Sequence, residues 1–275
     1  MATKKQCKCE ENDDRHLEDI EMYWTKRSPH FSDEIEASIM EGHYTDWLNL
    51  INEEIDTTKR LRVLDCGCGP GFFSIILGRE GHHCIGIDYS AGMVEMANRN
   101  FEKYGVLSKA YKMDAHNIEF EDNSFDLIVS RNMMWTLADP KRVYSEWMRV
   151  LRPGGKIVCF DGNFKLYLHD EEYMEVWKEM NSKEKSKRTV PGPTAAQFKK
   201  MEEITGNDFE VCHHRRPQWD IGILLELGAT EVSAKVPGIS GAYVERNGER
   251  HYLPMMFKVC ATKADPTHPV VFHRA

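Results

Sequence analysis

Residues 63–71, Val-Leu-Asp-Cys-Gly-Cys-Gly-Pro-Gly, join an apolar run to a glycine-rich turn, and a helical pattern begins at Phe72. Because glycine has no side chain, such a turn lets a ligand approach the backbone closely. The amino terminus of the following helix favours a negatively charged group, either a carboxylate or a phosphate. The stretch therefore predicts a buried strand followed by a ligand-binding turn.

Two kinds of ligand compete for a turn of this kind. Dinucleotide-binding folds use the spacing G-x-G-x-x-G, whereas Gly67, Gly69 and Gly71 follow G-x-G-x-G. Phe72 occupies the place of the third dinucleotide glycine, which disfavours an NAD-dependent dehydrogenase. Asp65 precedes the turn, and its carboxylate is a poor neighbour for a pyrophosphate but a good one for an ammonium group. The pattern favours a ligand that carries a zwitterionic amino acid part.

Two further strand-like runs end in an acidic residue. The run from Cys84 to Asp88 ends in a carboxylate that can accept hydrogen bonds from both hydroxyls of a ribose. The alternative role for Asp88 is to cap the helix that begins near Ser90. The next run ends at Asp114, which can accept a hydrogen bond from an amino group such as that of adenine. Since strand ends converge on a ligand at one edge of a parallel sheet, we expect the acids beside the same ligand.

From residue 60 onward, short apolar runs alternate with helical segments, which predicts five strands and their crossover connections. The turn Arg152-Pro153-Gly154-Gly155 is expected to separate a helix from the fifth strand. After a helix at 221–227, two more strand-like runs follow at 229–236 and 255–262, joined by a glycine-rich connection. The predicted fold class is therefore α/β, with a doubly wound, mostly parallel sheet of seven strands.

Helical sequence precedes and interrupts this alternation. A first amphipathic helix is expected to end at Ser28-Pro29, because proline disfavours the helical conformation in the residue before it. A second helical stretch runs from about 33 to 55. Between 165 and 220 the sequence is charged and helical, which fits a lid or a substrate-binding insertion. Two helix faces in this insertion are marked by Tyr173, Val176, Trp177 and Met180, and by Phe198, Met201 and Ile204.

The composition is that of a globular protein, with 41% hydrophobic and 29% charged residues in a chain of 275. A net charge of −8 and the lack of a basic cluster interleaved with aromatic residues argue against nucleic acid as a partner. No apolar stretch approaches the roughly 20 residues of a membrane span, and the polar amino terminus does not resemble a secretory signal. We therefore expect a cytoplasmic protein with no membrane partner. The cysteines are expected to be reduced and to bind no metal, because the C-x₂-C spacing of structural zinc sites is missing.

Five motifs in order make the chain resemble the class I S-adenosylmethionine (SAM)-dependent methyltransferase family. They are Asp65-x-Gly67-x-Gly69-x-Gly71, Asp88, Asp114-Ala115, Phe125-Asp126-Leu127-Ile128 and Leu151-Arg152-Pro153-Gly154-Gly155. The resemblance covers residues 60–162 well and the last two strands more loosely, and it implies SAM as the cofactor. The run Arg131–Trp135 further resembles those members of the family that act on small molecules.

The resemblance also implies roles for individual residues. Gly67, Gly69 and Gly71 would face the methionine part of SAM, with Asp65 near its amino group. The other implied contacts are Asp88 with the ribose, Tyr89 and Met93 with the adenine, Asp114 and Ala115 with the adenine amino edge, and Arg131 and Asn132 with both ligands.

In the small-molecule subgroup, helices ahead of the first strand close over SAM. The candidates for such a lid are Tyr23, Trp24, Arg27 and Phe31. Aromatic faces attract a sulfonium cation, at roughly 0.5–2 kcal/mol per contact. The alternative for Tyr23 and Trp24 is an ordinary place in the core of an amphipathic helix.

An acceptor hydroxyl or ammonium group needs a base to remove its proton. The candidates for catalysis are His213, His214 and His116, which can titrate near neutral pH, together with Asn132. The alternative for each histidine is a structural or exposed position. No catalytic triad is required, because alignment of the acceptor with the methyl group can supply about 7–11 kcal/mol.

The combined prediction is an enzyme that transfers a methyl group from SAM to a small-molecule acceptor. The alternatives are a methyltransferase that acts on a macromolecule, for which a basic face or a recognition domain would be expected, and a SAM-binding regulator without turnover. The predicted organisation is an N-terminal helical cap (1–58), a SAM-binding Rossmann-like core (59–164), a helical insertion or lid (165–220) and C-terminal strands that complete the sheet (221–275).

Overall fold

The computed structural model describes residues 4–184, 209–236, 241–246 and 248–267. The strands are β1 Arg62–Cys66, β2 His83–Asp88, β3 Lys109–Lys112, β4 Phe125–Arg131, β5 Leu151–Gly162, β6 Ala229–Lys235, β7 Gly241–Arg246, β8 Glu249–Pro254 and β9 Met256–Lys263. The α-helices are α1 Lys4–Met40, α2 Tyr44–Asn52, α3 Phe72–Arg79, α4 Ala91–Tyr104, α5 Pro140–Val150, α6 Glu171–Glu184 and α7 Gln218–Glu226. Short 3₁₀ helices lie at Met134–Thr136, Leu166–Leu168 and Glu210–His213.

A seven-stranded sheet with the strand order β3-β2-β1-β4-β5-β9-β6 forms the centre of the molecule. Strands β1 to β5 pair in parallel, and β9 is antiparallel to both β5 and β6. The prediction of a mostly parallel, seven-stranded α/β sheet is confirmed. From β1 the chain continues to β2 on one side of the sheet, and from β4 it continues to β5 on the other side. The carboxyl ends of β1 and β4 therefore border the crevice in which ligands of this fold class bind.

The central strands are buried on both faces, as a parallel sheet with helices on each side requires. On one face Leu64 packs in a cluster with Trp147 of α5, and on the other Val63 packs with Phe73 of α3. Successive residues of a strand point to opposite faces, so the near-continuous apolar run of β1 serves both clusters. This packing fixes the end of β1, and with it the glycine turn, against two layers of helices.

Helix α1 does not end at Ser28-Pro29, and this prediction is wrong. Proline has no backbone N–H, so Pro29 leaves the carbonyl of Thr25 without its usual partner. The hydroxyl of Ser28 donates a hydrogen bond to that carbonyl at 3.0 Å and replaces the missing one. The helix therefore continues to Met40, and the predicted stretch at 33–55 is divided between α1 and α2.

Two further segments differ from the prediction. Leu151 already pairs with Phe125, while Lys156 pairs with Leu127, so the predicted turn at 152–155 forms a bulge within β5 and does not separate it from α5. The connection between the last two strands contains a hairpin of β7 and β8. The predicted helix near 221–227 is present as α7.

The insertion is described in part. Tyr173 and Val176 of α6 are buried, as predicted for this helix face, and Trp177 stacks on Tyr167 with the ring centroids 4.6 Å apart. The second predicted face, with Phe198, Met201 and Ile204, lies outside the described residues.

Replacement of Gly92 by alanine is expected to displace α1 from α4. An added Cβ would lie 2.8 Å from the methyl group of Thr25 and 3.0 Å from its Cα, which belongs to the backbone. Overpacking of this kind costs about 1–3 kcal/mol, more than the gain of up to about 1 kcal/mol from replacing a helical glycine. Urea unfolding should therefore show a less stable protein.

Gly222→Ala is the matched control, because Gly222 also lies in a helix but its added Cβ would meet nothing within 4 Å. That variant should be as stable as the wild type or more stable. Equal stabilisation by both replacements would contradict the close packing of α1 on α4.

Candidate active site

A cavity of about 750 Å³ opens at the carboxyl ends of the central strands, and residues of α1 form part of its wall. Ligand pockets commonly measure roughly 300–1,000 Å³, so this cavity has the size of a ligand-binding site. The predicted residues that line it are Trp24, Phe31, Asp65, Gly67, Gly69, Asp88, Tyr89, Met93, Asp114, Ala115, His116, Arg131 and Asn132. The predicted residues outside its described lining are Tyr23, Arg27, Gly71, His213 and His214.

The glycine turn uses each of its glycines differently. Gly67 has a φ of +68°, and an added Cβ would lie 2.5 Å from the sulfur of Met133. Gly69 faces open space, where a ligand can approach the backbone. Gly71 has a φ of +91°, and an added Cβ would lie 2.4 Å from the ring of Phe101 in α4. Gly71 therefore serves helix packing, and only Gly67 and Gly69 line the cavity.

Asp65 is almost completely buried at the end of β1. Its Oδ2 accepts hydrogen bonds from the backbone N–H and the hydroxyl of Ser74, at 2.9 and 2.8 Å. Its Oδ1 accepts none within the described chain. Burial raises the pKa of Asp65 from 3.8 to about 6, although the Ser74 hydrogen bonds oppose that shift. A positively charged ligand group would favour the ionised carboxylate at this place.

Asp88 ties the glycine turn to the start of α4. Its Oδ2 accepts a hydrogen bond from Gly69 N, and its Oδ1 accepts one from Ser90 N, both at 2.9 Å. The side chain that caps α4 belongs to Ser90, which accepts from Met93 N. Each carboxylate oxygen keeps acceptor capacity toward the cavity. Burial raises the pKa of Asp88 from 3.8 to about 6.

The third acid, Asp114, follows β3 and pairs with His116. Its Oδ1 accepts hydrogen bonds from His116 N at 2.9 Å and from His116 Nδ1 at 2.8 Å. Burial alone would raise the pKa of Asp114, but the hydrogen bonds from His116 outweigh it and hold the pKa below 3.8. Asp114 therefore stays ionised with Oδ2 available, while His116 is committed to orienting it.

The loop after β4 begins with two residues that face the cavity. Asn132 has a φ of +56°, which is rare for a residue other than glycine, and its backbone N–H bonds to Phe160 O at 2.8 Å. Its carbonyl accepts a hydrogen bond from the indole N–H of Trp135 at 2.9 Å. Trp135 in turn packs against Phe164, with the ring centroids 5.5 Å apart. This aromatic pair forms a wall beside Arg131.

The predicted lid residues divide between two roles. Trp24 and Phe31 line the cavity and pack against each other, with ring centroids 5.6 Å apart. Arg27 instead donates a hydrogen bond to the hydroxyl of Tyr23 at 2.8 Å on α1 itself. The hydroxyl of Thr25 lies 2.8 Å from that of Ser90. The last contact connects α1 to the loop that carries Asp88.

The structure does not bring His213 and His214 into the described lining of the cavity. The ring of His213 lies against that of His169, with centroids 3.8 Å apart. His214 stacks on Trp219 at 5.0 Å. These ring contacts hold both histidines at the surface of the 209–220 segment, so their catalytic role stays a prediction without a supporting contact.

Several residues that line the cavity are not singled out by a sequence motif. They are Leu17, Ile20, Glu34, Ile35 and Ser38 on α1, Phe72 and Phe73 on α3, Arg142 on α5 and Phe164 after β5. Phe164 follows a predicted strand end, a signal that could have found it. The sequence places the α1 residues only in helices ahead of the first strand, and it does not indicate which of their side chains face the cavity.

Groups of three or more metal-ligating side chains do not occur among the described residues. Within the same residues, no helix is both long and apolar enough to cross a membrane.

Comparison with known proteins gives consistent matches. Residues 64–159, from β1 to β5, match a methyltransferase domain family. A demethylmenaquinone methyltransferase from Lactiplantibacillus plantarum is 28% identical over 152 residues, which are 54% of this chain and 64% of that protein. A ubiquinone biosynthesis O-methyltransferase from Coxiella burnetii is 29% identical over 124 residues, or 44% and 53% of the two chains. The chain thus spans less than two thirds of the length of these curated relatives.

One solved structure resembles nearly the whole chain. It is a provisionally named SAM-dependent methyltransferase from Methanococcus maripaludis, with a TM-score of 0.55 and 22% identity. The match covers 90% of this chain and 95% of that protein. At this identity it establishes the shared fold.

Proposed function

We propose that the chain is a class I SAM-dependent methyltransferase, which transfers a methyl group from SAM to a small-molecule acceptor. SAM supplies an activated methyl group with its own leaving group, so the protein has to bind SAM and the acceptor, align them and exclude water. The curated relatives are named for demethylmenaquinone methylation and for ubiquinone biosynthesis. Those names support an acceptor of similar chemical kind and size.

One observation carries the cofactor assignment. Asp65, Asp88 and Asp114 follow three adjacent strands and line a single cavity in the order β1, β2, β3. This order suits the ammonium group, the ribose hydroxyls and the adenine amino group of one extended ligand. The open backbone at Gly69 leaves room for the ligand to lie across the turn.

The rest of the cavity suits an acceptor. The indole of Trp135 and the ring of Phe164 offer flat apolar faces, and Asn132 presents an amide beside them. Trp24 and Phe31 of α1 line the same cavity and help to exclude water from it. A flat, largely apolar molecule held between these walls can be aligned with the methyl group without a dedicated nucleophile on the protein.

Calorimetric titration with SAM and S-adenosylhomocysteine tests the cofactor, and formation of S-adenosylhomocysteine with quinol-like acceptors tests the reaction. Micromolar binding followed by acceptor-dependent product would support the proposal. Absence of binding by folded protein at high micromolar SAM would contradict it. Tight binding without product for any acceptor would point to a SAM-binding regulator.

The affinity for S-adenosylhomocysteine is expected to fall as the pH drops below about 6. The carboxyl groups of Asp65 and Asp88, both with a pKa of about 6, must ionise to pair with the ammonium group and the ribose hydroxyls. Binding near pH 6 should therefore release protons, measurable by calorimetry in buffers of different ionisation enthalpy. Asp65→Asn should remove the Asp65 share of this release, and a pH-independent affinity between pH 5 and 7 would contradict the assignment.

The carboxyl groups of Asp65 and Asp88 also make the stability of the free protein depend on pH, but in the direction opposite to that of the ligand affinity. Their raised pKa values mean that the folded state binds protons more tightly than the unfolded state. They therefore stabilise the free protein below about pH 4, and this contribution disappears as the pH rises through about 6. A bound ligand should cancel that loss, so the thermal shift caused by the ligand should be larger at pH 7 than at pH 5.

A further inference from the structure

Arg131 is a cation in the cavity that has no hydrogen-bond partner among the described residues. Its guanidinium lies over the ring of Phe72 at 4.4 Å and near the rings of Trp47 and Phe73 at 5.2 and 5.6 Å. Within the described chain, no oxygen accepts a hydrogen bond from it. The other arginine of the cavity, Arg142, donates its Nε hydrogen to His116 O at 2.8 Å. Of the two arginines in the described lining, Arg131 is thus the one that presents a full set of free N–H donors to the cavity.

The surroundings of Arg131 favour the arrival of an anion. Burial among aromatic rings lowers the pKa of the guanidinium to about 10, so the cation persists at neutral pH while poorly solvated. Ring faces attract a cation but contain no oxygen that could accept its N–H groups. A carboxylate matches the fork of N–H donors on a guanidinium with two parallel hydrogen bonds.

Asp65 and Glu34 line the same cavity, and the charges of both carboxylates act on Arg131. The charges of Asp65 and Arg131 attract each other, yet no oxygen of the one lies within 4.0 Å of a nitrogen of the other. Oδ2 of Asp65 accepts hydrogen bonds from Ser74, whereas its Oδ1 accepts none within the described chain. Asp65 and Arg131 therefore give the cavity a negative and a positive group that do not contact each other. A group with adjacent ammonium and carboxylate charges fits between them.

We infer that Arg131 is the carboxylate-binding residue of this cavity, acting opposite Asp65. The inference rests on the proposed function. The carboxylate has two possible sources, the amino acid end of SAM or an acid group on the acceptor, and the gap beside Asp65 suits the first. The two sources are separable because only one of them belongs to the cofactor.

Titration of wild type and Arg131→Met with two cofactor fragments tests the first source. S-Adenosylhomocysteine carries the carboxylate, whereas 5′-methylthioadenosine has the same nucleoside and thioether without the amino acid end. Loss of a hydrogen bond to a charged group corresponds to about 10- to 100-fold in affinity. The variant should lose that factor for S-adenosylhomocysteine and bind 5′-methylthioadenosine like the wild type.

Titration with benzoate, a simple aryl carboxylate, of protein saturated with S-adenosylhomocysteine tests the second source. Benzoate binding that weakens in Arg131→Met, with unchanged affinity for S-adenosylhomocysteine, would assign the carboxylate to the acceptor. If neither affinity falls in the folded variant, the inference is overturned. If the wild type fails to bind S-adenosylhomocysteine, the proposed function fails first, and benzoate binding to the free protein then decides the inference alone.

Two further variants separate binding from packing. Arg62 also stacks on a ring, that of Phe125 at 5.2 Å, but it begins β1 at the opposite edge of the sheet. Arg62→Met should therefore keep both affinities. Arg131→Lys keeps the charge but cannot form the two parallel hydrogen bonds, so its affinity should lie between those of the wild type and Arg131→Met. An effect of equal size in Arg62→Met and Arg131→Met would also overturn the inference.

Discussion

Replacement of Asp88 by alanine is expected to lower the affinity for S-adenosylhomocysteine at least about 100-fold. The carboxylate would accept two ribose hydroxyls in the proposed complex, and a hydrogen bond to a charged group contributes about 1.5–3 kcal/mol. The same carboxylate also holds Gly69 N and Ser90 N at 2.9 Å. Its removal leaves two backbone donors unpaired and loosens the turn across which the ligand would lie. Calorimetric titration of the two proteins measures the difference.

Two comparison variants make this result specific. Asp88→Asn keeps one oxygen acceptor and the shape of the side chain, so it should lose less affinity than Asp88→Ala. Asp126→Ala removes a carboxylate that also accepts a backbone N–H, from Arg62 at 2.8 Å, but at the far edge of the sheet. It should bind S-adenosylhomocysteine like the wild type. An affinity within threefold of the wild type in folded Asp88→Ala would place the ribose elsewhere.

The parts of the site that the sequence predicts correctly are those defined by a strand end. Asp65, Asp88 and Asp114 each follow an apolar run, and parallel pairing carries all three to one edge of the sheet. Backbone hydrogen bonding sets that arrangement, so it depends little on the identity of distant residues. For the same reason the seven strands of the central sheet are predicted correctly, although the separate hairpin of β7 and β8 is not predicted. Asn247-Gly248 is a typical hairpin signal in the sequence of this connection.

The parts that the sequence did not predict depend on single side-chain contacts between distant segments. Nothing local indicates that the hydroxyl of Ser28 replaces the hydrogen bond lost at Pro29, yet α1 continues beyond this contact to Met40. Gly71 illustrates the opposite case. Its spacing is that of a ligand-binding glycine, but the ring of Phe101, 30 residues later, decides that it serves packing. Patterns reveal which residue types a turn needs, and tertiary contacts decide which of them meets a ligand.

A second large effect is expected at a buried ion-pair cluster whose residues no sequence pattern singles out. The guanidinium of Arg216 is buried and donates to both oxygens of Asp220, with the shortest distance 2.6 Å, and to Asp161 at 3.1 Å. The hydroxyl of Tyr144 also donates to Asp220, at 2.6 Å. This cluster joins the end of β5 to α5 and α7. It therefore fixes the strand that precedes the Phe164 wall of the cavity.

Arg216→Met should destabilise the protein by about 3–5 kcal/mol, because it leaves the carboxylates of Asp161 and Asp220 buried without a cation. Burial already raises the pKa of Asp161, and removal of the cation would raise it further. Asp161 can then reduce the penalty by taking up a proton. The loss of stability should accordingly be larger at pH 8 than at pH 5, as urea unfolding at the two values would show.

The neighbouring Arg215 provides the matched control, because it also forms two ion pairs, with Asp170 and Glu172, but is 38% exposed. Solvent screens such pairs, and their contribution is about 0–1 kcal/mol. Arg215→Met should therefore be only slightly less stable than the wild type, with little dependence on pH. Similar losses for Arg215→Met and Arg216→Met would mean that burial of the cluster does not set its energy. A loss for Arg216→Met that is equal at both pH values would show that the carboxylates find another partner, and the cluster would then not be what fixes the end of β5.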